Sequence, residues 1–120
     1  MKVLIAPDSF KECLSAPAVA RAIAEGWRRA APQDVLVEMP LADGGEGTTV
    51  ALVNATGGTL YPCTVTDPLG APVTAHYGLI DAGSTAVVEV AEGSGLHLVA
   101  PGQRDALRAS SFGTGELILA

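Results

Sequence analysis

Between Pro40 and Thr49 the sequence reads Pro-Leu-Ala-Asp-Gly-Gly-Glu-Gly-Thr-Thr, which sets the carboxylates of Asp43 and Glu46 among Gly44, Gly45 and Gly47. Residues without a Cβ let the backbone take positive φ and come within hydrogen-bonding distance of a bound group. Free N–H groups at the start of a following helix favour an anion, and two carboxylates favour a cation. A phosphate carrying Mg²⁺ satisfies both. The same residues would also serve as a plain tight turn followed by a first-turn helix charge.

Two further stretches add parts of the same chemistry. Asp8-Ser-Phe-Lys11 follows an apolar run directly and brings a cation, and Ser110-Ser-Phe-Gly-Thr-Gly-Glu116 brings hydroxyls, glycines and a glutamate ahead of Leu117-Ile-Leu-Ala120. A lysine, an acidic glycine loop and a hydroxyl-rich glycine loop are what phosphoryl transfer uses: a cation for migrating charge, carboxylates for Mg²⁺ or a hydroxyl, and backbone donors for phosphate oxygens. No G-x-x-x-x-G-K-[ST] occurs, and Val50 and Ile118 stand where G-x-G-x-x-G would need its third glycine. His76 has no second ligand near it in sequence and receives no role, and Glu89, a charge inside an apolar run, must either face solvent or meet a partner. A non-catalytic module that holds an anion or metal fits these loops as well, and Lys11 separates the two readings, since only a kinase needs it.

Composition narrows the partners. The 120 residues carry 7 Lys+Arg against 13 Asp+Glu, a net charge of −6, with 4% aromatic residues, which argues against phosphate-backbone tracking and base stacking and so against nucleic acid. Cys13 and Cys63 belong to no C-x-x-C pair and read as buried thiols of a reducing compartment. The apolar run at the start, Val3-Leu-Ile-Ala6, is too short for a signal-peptide core or a membrane span. These features place the protein in the cytoplasm, with no membrane partner.

The elements that must position the loops alternate in kind. Lys2 to Ala6 reads as a central parallel strand buried on both faces. Ser15 caps a crossover helix with Pro17 in its first turn and an inward stripe of Val19, Ile23 and Trp27, and Pro32 stops it. Val35 to Met39 is a second strand, and a right-handed crossover puts the Asp8–Lys11 and Pro40–Gly47 loops at the same sheet edge. A short helix over Thr48–Ala55 faces Val50 and Val53 inward and closes at Gly57. Beyond Gly58 the period falls to two: Tyr61, Cys63 and Val65, a turn at Asp67-Pro-Leu-Gly70, then Val73, Ala75, Tyr77 and Leu79, then a third run over Thr85–Ala91. A domain boundary is expected at about residues 57–62, giving 1–60 as the N-terminal part of a parallel α/β domain and 61–120 as the start of an inserted second domain. The apolar Leu117-Ile-Leu-Ala120 makes the chain read as cut mid-element.

Ala6-Pro-Asp-Ser-Phe-Lys11, Ala42-Asp-Gly-Gly-Glu-Gly-Thr48, Thr66-Asp-Pro-Leu-Gly70, Ala91-Glu-Gly-Ser-Gly-Leu96 and Ser110-Ser-Phe-Gly-Thr-Gly-Glu-Leu-Ile118 resemble, in order, the N-terminal motifs of the bacterial glycerate kinases of the two-domain type I kind. The resemblance covers the whole chain but accounts only for the N-terminal portion of that family. It implies a Rossmann- or flavodoxin-like parallel sheet domain interrupted by a second α/β domain with a mixed or antiparallel sheet. It further implies ATP- and Mg²⁺-dependent phosphorylation of a D-glycerate hydroxyl, with 2-phosphoglycerate the favoured product. Carried over by motif, Lys11 and Asp43 are catalytic, and Asp43 and Glu46 are metal-binding. Asp8, Ser9, Gly44, Gly45, Glu46, Gly47, Ser110, Ser111, Gly113, Thr114 and Gly115 bind substrate or phosphate. Phe112 and Gly93 stand where other residues are common, a departure that touches local packing.

Overall fold

Small residues on one helix face and β-branched residues on two short strands build the first part of the fold. In the computed structural model, which describes Met1–Ala120, strands β1 (Lys2–Ile5) and β2 (Val35–Glu38) pair in parallel, with Lys2 opposite Val35 and Ile5 opposite Glu38. Helix α1 (Ala16–Ala30) connects them, with Pro17 in its first turn as expected; Ser15 stands at the N-cap position, but its side chain makes no capping hydrogen bond. The core consists of Ile5, Ala20 and Ala24, with Val3 and Leu36 packed against it. The alanines let the helix lie close to the strands.

Several details differ from the sequence reading. The inward stripe of α1 is Ala16, Val19, Ala20 and Ala24, whereas Ile23 is 43% and Trp27 37% exposed. Trp27 sits at the edge of the stripe because its indole N–H reaches out to Asp34 at 2.9 Å, a partner an amphipathic ring seeks when one end stays wet. Strand β1 has β2 as its one partner here, and Leu4 on its uncovered face is 59% exposed, so β1 is neither central nor covered on both faces within these residues. Cys13 is also exposed rather than buried, and Cys63 is half-buried; both are free thiols.

The chain forms two compact units, Met1–Asp43 and Gly44–Ala120. The second contains an antiparallel sheet in the order β3 (Thr59–Thr66), β4 (Pro72–Ile80), β5 (Thr85–Val88). The β3–β4 turn forms where expected: Asp67 Oδ1 accepts the N–H groups of Leu69 and Ala71, both at 2.8 Å, and Gly70 takes φ 95°. Tyr61 and Tyr77 face each other across the ladder and stack at 5.5 Å. The third run ends as a strand at Val88 and turns into the short helix α3 (Val90–Ser94). A parallel β-α-β unit and an antiparallel sheet with helices together make the α/β architecture that the residue pattern implied.

Helices α2 (Thr48–Thr56) and α4 (Phe112–Leu119) complete this unit. Gly57 closes α2 in the left-handed conformation, as expected. Val53 is buried, but Val50 is 40% exposed. Gly78 on β4 makes room for Val53, since a Cβ there would lie 2.4 Å from its Cγ2. Leu117 of α4 is buried with Val65 and Ala75. No helix is long and apolar enough to cross a membrane.

Candidate functional site

In the first unit, the loops after β1 and β2 leave the same end of the parallel pair. The Met39 N–H donates to Ile5 O at 2.8 Å and the Leu41 N–H to Pro7 O at 2.9 Å, so the ladder continues into both loops. Asp8 Oδ1 accepts the Ser9 N–H at 2.6 Å, which folds the carboxylate back on its own loop. The following turn is tied by Leu14 N–H to Phe10 O at 2.9 Å, with Glu12 in the left-handed region at φ 56°. That conformation is costly for a residue with a side chain, and such strain clusters at functional sites. Lys11 is exposed within the same turn, and Asp43 is exposed at the end of this unit.

The second unit opens with the glycine loop. Gly44 at φ 101° and Gly47 at φ 90° have the positive φ that their residue type permits, and Gly47 is the N-cap of α2. Thr48 braces the loop: its Oγ1 accepts the Gly44 N–H at 3.1 Å and donates to Gly45 O at 2.8 Å. The helix end itself is taken. Gly47 N–H lies 3.1 Å from both carboxylate oxygens of Glu89, and Thr49 N–H donates to Glu89 Oε2 at 3.2 Å. The N–H groups that sequence reading reserved for phosphate therefore hold a carboxylate of the same chain. Glu89 is 5% exposed. Burial lifts its pKa above the ordinary carboxylate value, against the pull of the Thr49 and Gly47 N–H groups.

Glu46 is exposed, with its Oε1 3.0 Å from His97 Nδ1. His97 was absent from the sequence candidates because nothing in its spacing marks it; it sits in a 3-10 turn, Leu96–Leu98, after α3. Glu89 carried a signal, a charge in an apolar run. Nothing local in the sequence pointed it at α2. His76, given no role, meets Glu92 through its main-chain N–H at 2.7 Å and through Nδ1 at 3.2 Å.

The hydroxyl-rich loop lies at the start of α4. Ser110 Oγ accepts the Phe112 N–H at 3.1 Å, and its own N–H donates to Pro68 O at 3.0 Å. Thr114 Oγ1 shares a hydrogen bond of 2.6 Å with Ser94 Oγ. Gly113 is buried beneath β3, where a Cβ would lie 1.8 Å from Thr66 O. A Cβ on Gly93 would lie 2.9 Å from the Gly113 carbonyl carbon, so α3 and α4 meet at two glycines. Gly113, Ser110 and Thr114 thus serve the fold in this structure. Ser111 makes no side-chain cap, and the space a Cβ would fill at Gly115 is open.

No three His, Cys, Asp or Glu side chains stand close enough to hold a metal by themselves. Mg²⁺ is commonly held by one or two carboxylates together with substrate phosphates rather than by an all-protein cage. Asp43 at the end of the first unit and Glu46 in the second are each an exposed carboxylate of that donor type.

A sequence model described as the glycerate kinase family matches residues 3–120. Glycerate kinase of Haemophilus influenzae is 54% identical over 118 residues, covering 98% of this chain and 31% of the relative. Glycerate 2-kinase of Escherichia coli is 51% identical over 119 residues, covering 99% of this chain and 31% of the relative. A crystal structure from Salmonella typhimurium LT2 assigned as a glycerate kinase 2 is 52% identical with a TM-score of 0.68, covering 99% of this chain and 32% of that one. The chain spans about a third of the length of these relatives.

Proposed function

Because the chain belongs to the glycerate kinase family, we propose that the intact protein transfers the terminal phosphoryl group of ATP to a hydroxyl of D-glycerate. The product is 2-phosphoglycerate, and the reaction belongs to the cytoplasm, where ATP is abundant. Identity of 54% and 51% to proteins named glycerate kinase and glycerate 2-kinase, sustained along nearly all of this chain, carries the reading.

The chemistry asks little covalent work of the protein. The glycerate hydroxyl oxygen attacks the terminal phosphorus, the bond to the bridging oxygen breaks, ADP leaves, and the hydroxyl proton passes to a base. Lys11 supplies positive charge toward the migrating phosphoryl group. Asp43 supplies a carboxylate for that proton or for Mg²⁺. Mg²⁺, when bound with the nucleotide, would offset phosphate charge, and Asp43 and Glu46 are each a carboxylate of the type that would hold it. Asp8 and Ser9 line the lysine loop, and Ser111 offers its hydroxyl at the start of α4, with open space at Gly115 beside it.

The test is an ADP-release assay on the intact protein with D-glycerate, ATP and Mg²⁺, followed by phosphorus NMR of the product. Turnover yielding 2-phosphoglycerate is expected. Turnover with other small hydroxy acids and none with glycerate would overturn the assignment.

A further inference from the structure

We infer that Glu89 is a positioning residue for this reaction: it fills the anion site at the start of α2, fixes the Gly44–Gly47 loop, and closes that helix end to substrate phosphate. The inference rests on the phosphoryl-transfer reading above. Glu89 is extended at φ −101° and ψ 122°, between β5 and α3, and makes no side-chain cap of its own helix. Its carboxylate goes to the start of α2 instead, where the N–H groups of Gly47 and Thr49 converge on it. At 5% exposure the charge has lost nearly all its water. Such burial is tolerated where charged hydrogen bonds and the positive end of a helix replace the solvent.

The next residue back is held as well. Glu46 meets His97 at 3.0 Å, and the His97 ring lies so close to Gly95 that a Cβ there would fall 2.5 Å from its Cε1. Glu46 and Gly47, neighbours in the loop, are thus both tied to the segment from Glu89 to His97. Glycine at φ 101° and 90° would otherwise leave the loop free to sample many shapes. A substrate phosphate seeking the Gly47 and Thr49 N–H groups would have to displace a buried carboxylate of its own sign. The glycine loop is therefore a held carboxylate platform, and phosphate takes its donors elsewhere.

Kinetics of Glu89→Gln and Glu89→Ala in the intact protein, together with amide hydrogen exchange at Gly47 and Thr49, test the role. Glu89→Gln keeps the size and removes the charge; kcat should fall about tenfold or more with little change in the KM for ATP. Exchange at both amides should rise. In Glu89→Ala, acetate or formate should restore part of kcat by occupying the vacated site, and chloride at equal ionic strength should not. A Glu89→Gln protein that melts earlier yet turns over at the wild-type rate well below its melting temperature would make Glu89 a structural residue only. A Glu89→Ala protein with a lowered KM for ATP would make the helix end a phosphate site, and this too would overturn the inference. The exchange measurement needs no turnover: a wild-type protein inert toward glycerate would sink the proposed function, whereas unchanged exchange in Glu89→Gln would sink the positioning role.

Discussion

Lys11 and Asp43 are both exposed in the first unit, yet their loss should register differently. Removing a cation that stabilises transferring charge costs on the order of a hundredfold in kcat, so Lys11→Ala should lose at least that, with no recovery at raised Mg²⁺. Asp43→Ala should recover part of its activity as Mg²⁺ is raised, and steady-state kinetics across Mg²⁺ concentrations checks both. Asp34 gives a stability prediction. The α-ammonium of Met1 at 2.6 Å and the Trp27 indole at 2.9 Å hold its carboxyl below the ordinary aspartate value. A depressed folded-state pKa contributes stability that is present above the ordinary value and lost as pH falls through the depressed one. Asp34→Asn should therefore lower Tm at neutral pH, with the gap to wild type closing in strong acid. Thr49 is 1% exposed and its hydroxyl has no hydrogen-bond partner. An orphaned buried hydroxyl costs about 1–3 kcal/mol, so Thr49→Val should raise stability by about 1 kcal/mol in denaturant melts, since the Thr49 N–H on Glu89 is untouched.

Elements with a local cause were readable in advance. Pro17 and Pro32 delimit α1, Gly57 closes α2, and Asp67 to Gly70 turn the hairpin, because each acts on its own backbone. What sequence could not supply was decided by packing between elements. The phase along the helix points Trp27 into the core, but Asp34 lies within reach of its N–H. Val50 and Val53 looked alike until β4 offered Gly78 beneath Val53. The candidate loops were legible from glycine and charge, whereas the capture of the α2 end by Glu89 depends on a residue forty positions away. Gly113 carries the prediction at this scale. A Cβ would meet Thr66 O at 1.8 Å, so Gly113→Ala must push α4 off β3 and should cost about 3 kcal/mol or more. Denaturant melts of the intact protein measure it, and a loss below 1 kcal/mol, the ordinary helical gain of alanine over glycine aside, would contradict the packing.

Over the whole chain, large apolar side chains remain uncovered: Leu107 is 97%, Leu119 88%, Phe112 66% and Ile118 66% exposed. Exposed apolar surface of this kind drives association. A polypeptide of these 120 residues expressed alone should bind a hydrophobic dye and self-associate as its concentration rises, and sedimentation velocity would reveal it. A monomer that stays dye-free at high concentration would contradict this. Trp27 is the single tryptophan of the chain and lies in the first unit, and the chain's two tyrosines are the stacked pair, Tyr61 and Tyr77, of the second. Nature has thus given each unit its own chromophore. Emission excited where only indole absorbs follows Met1–Asp43, and the near-ultraviolet dichroism of the tyrosine pair follows Gly44–Ala120. Whether the units lose their structure together or in sequence can be watched by light alone, with no label attached.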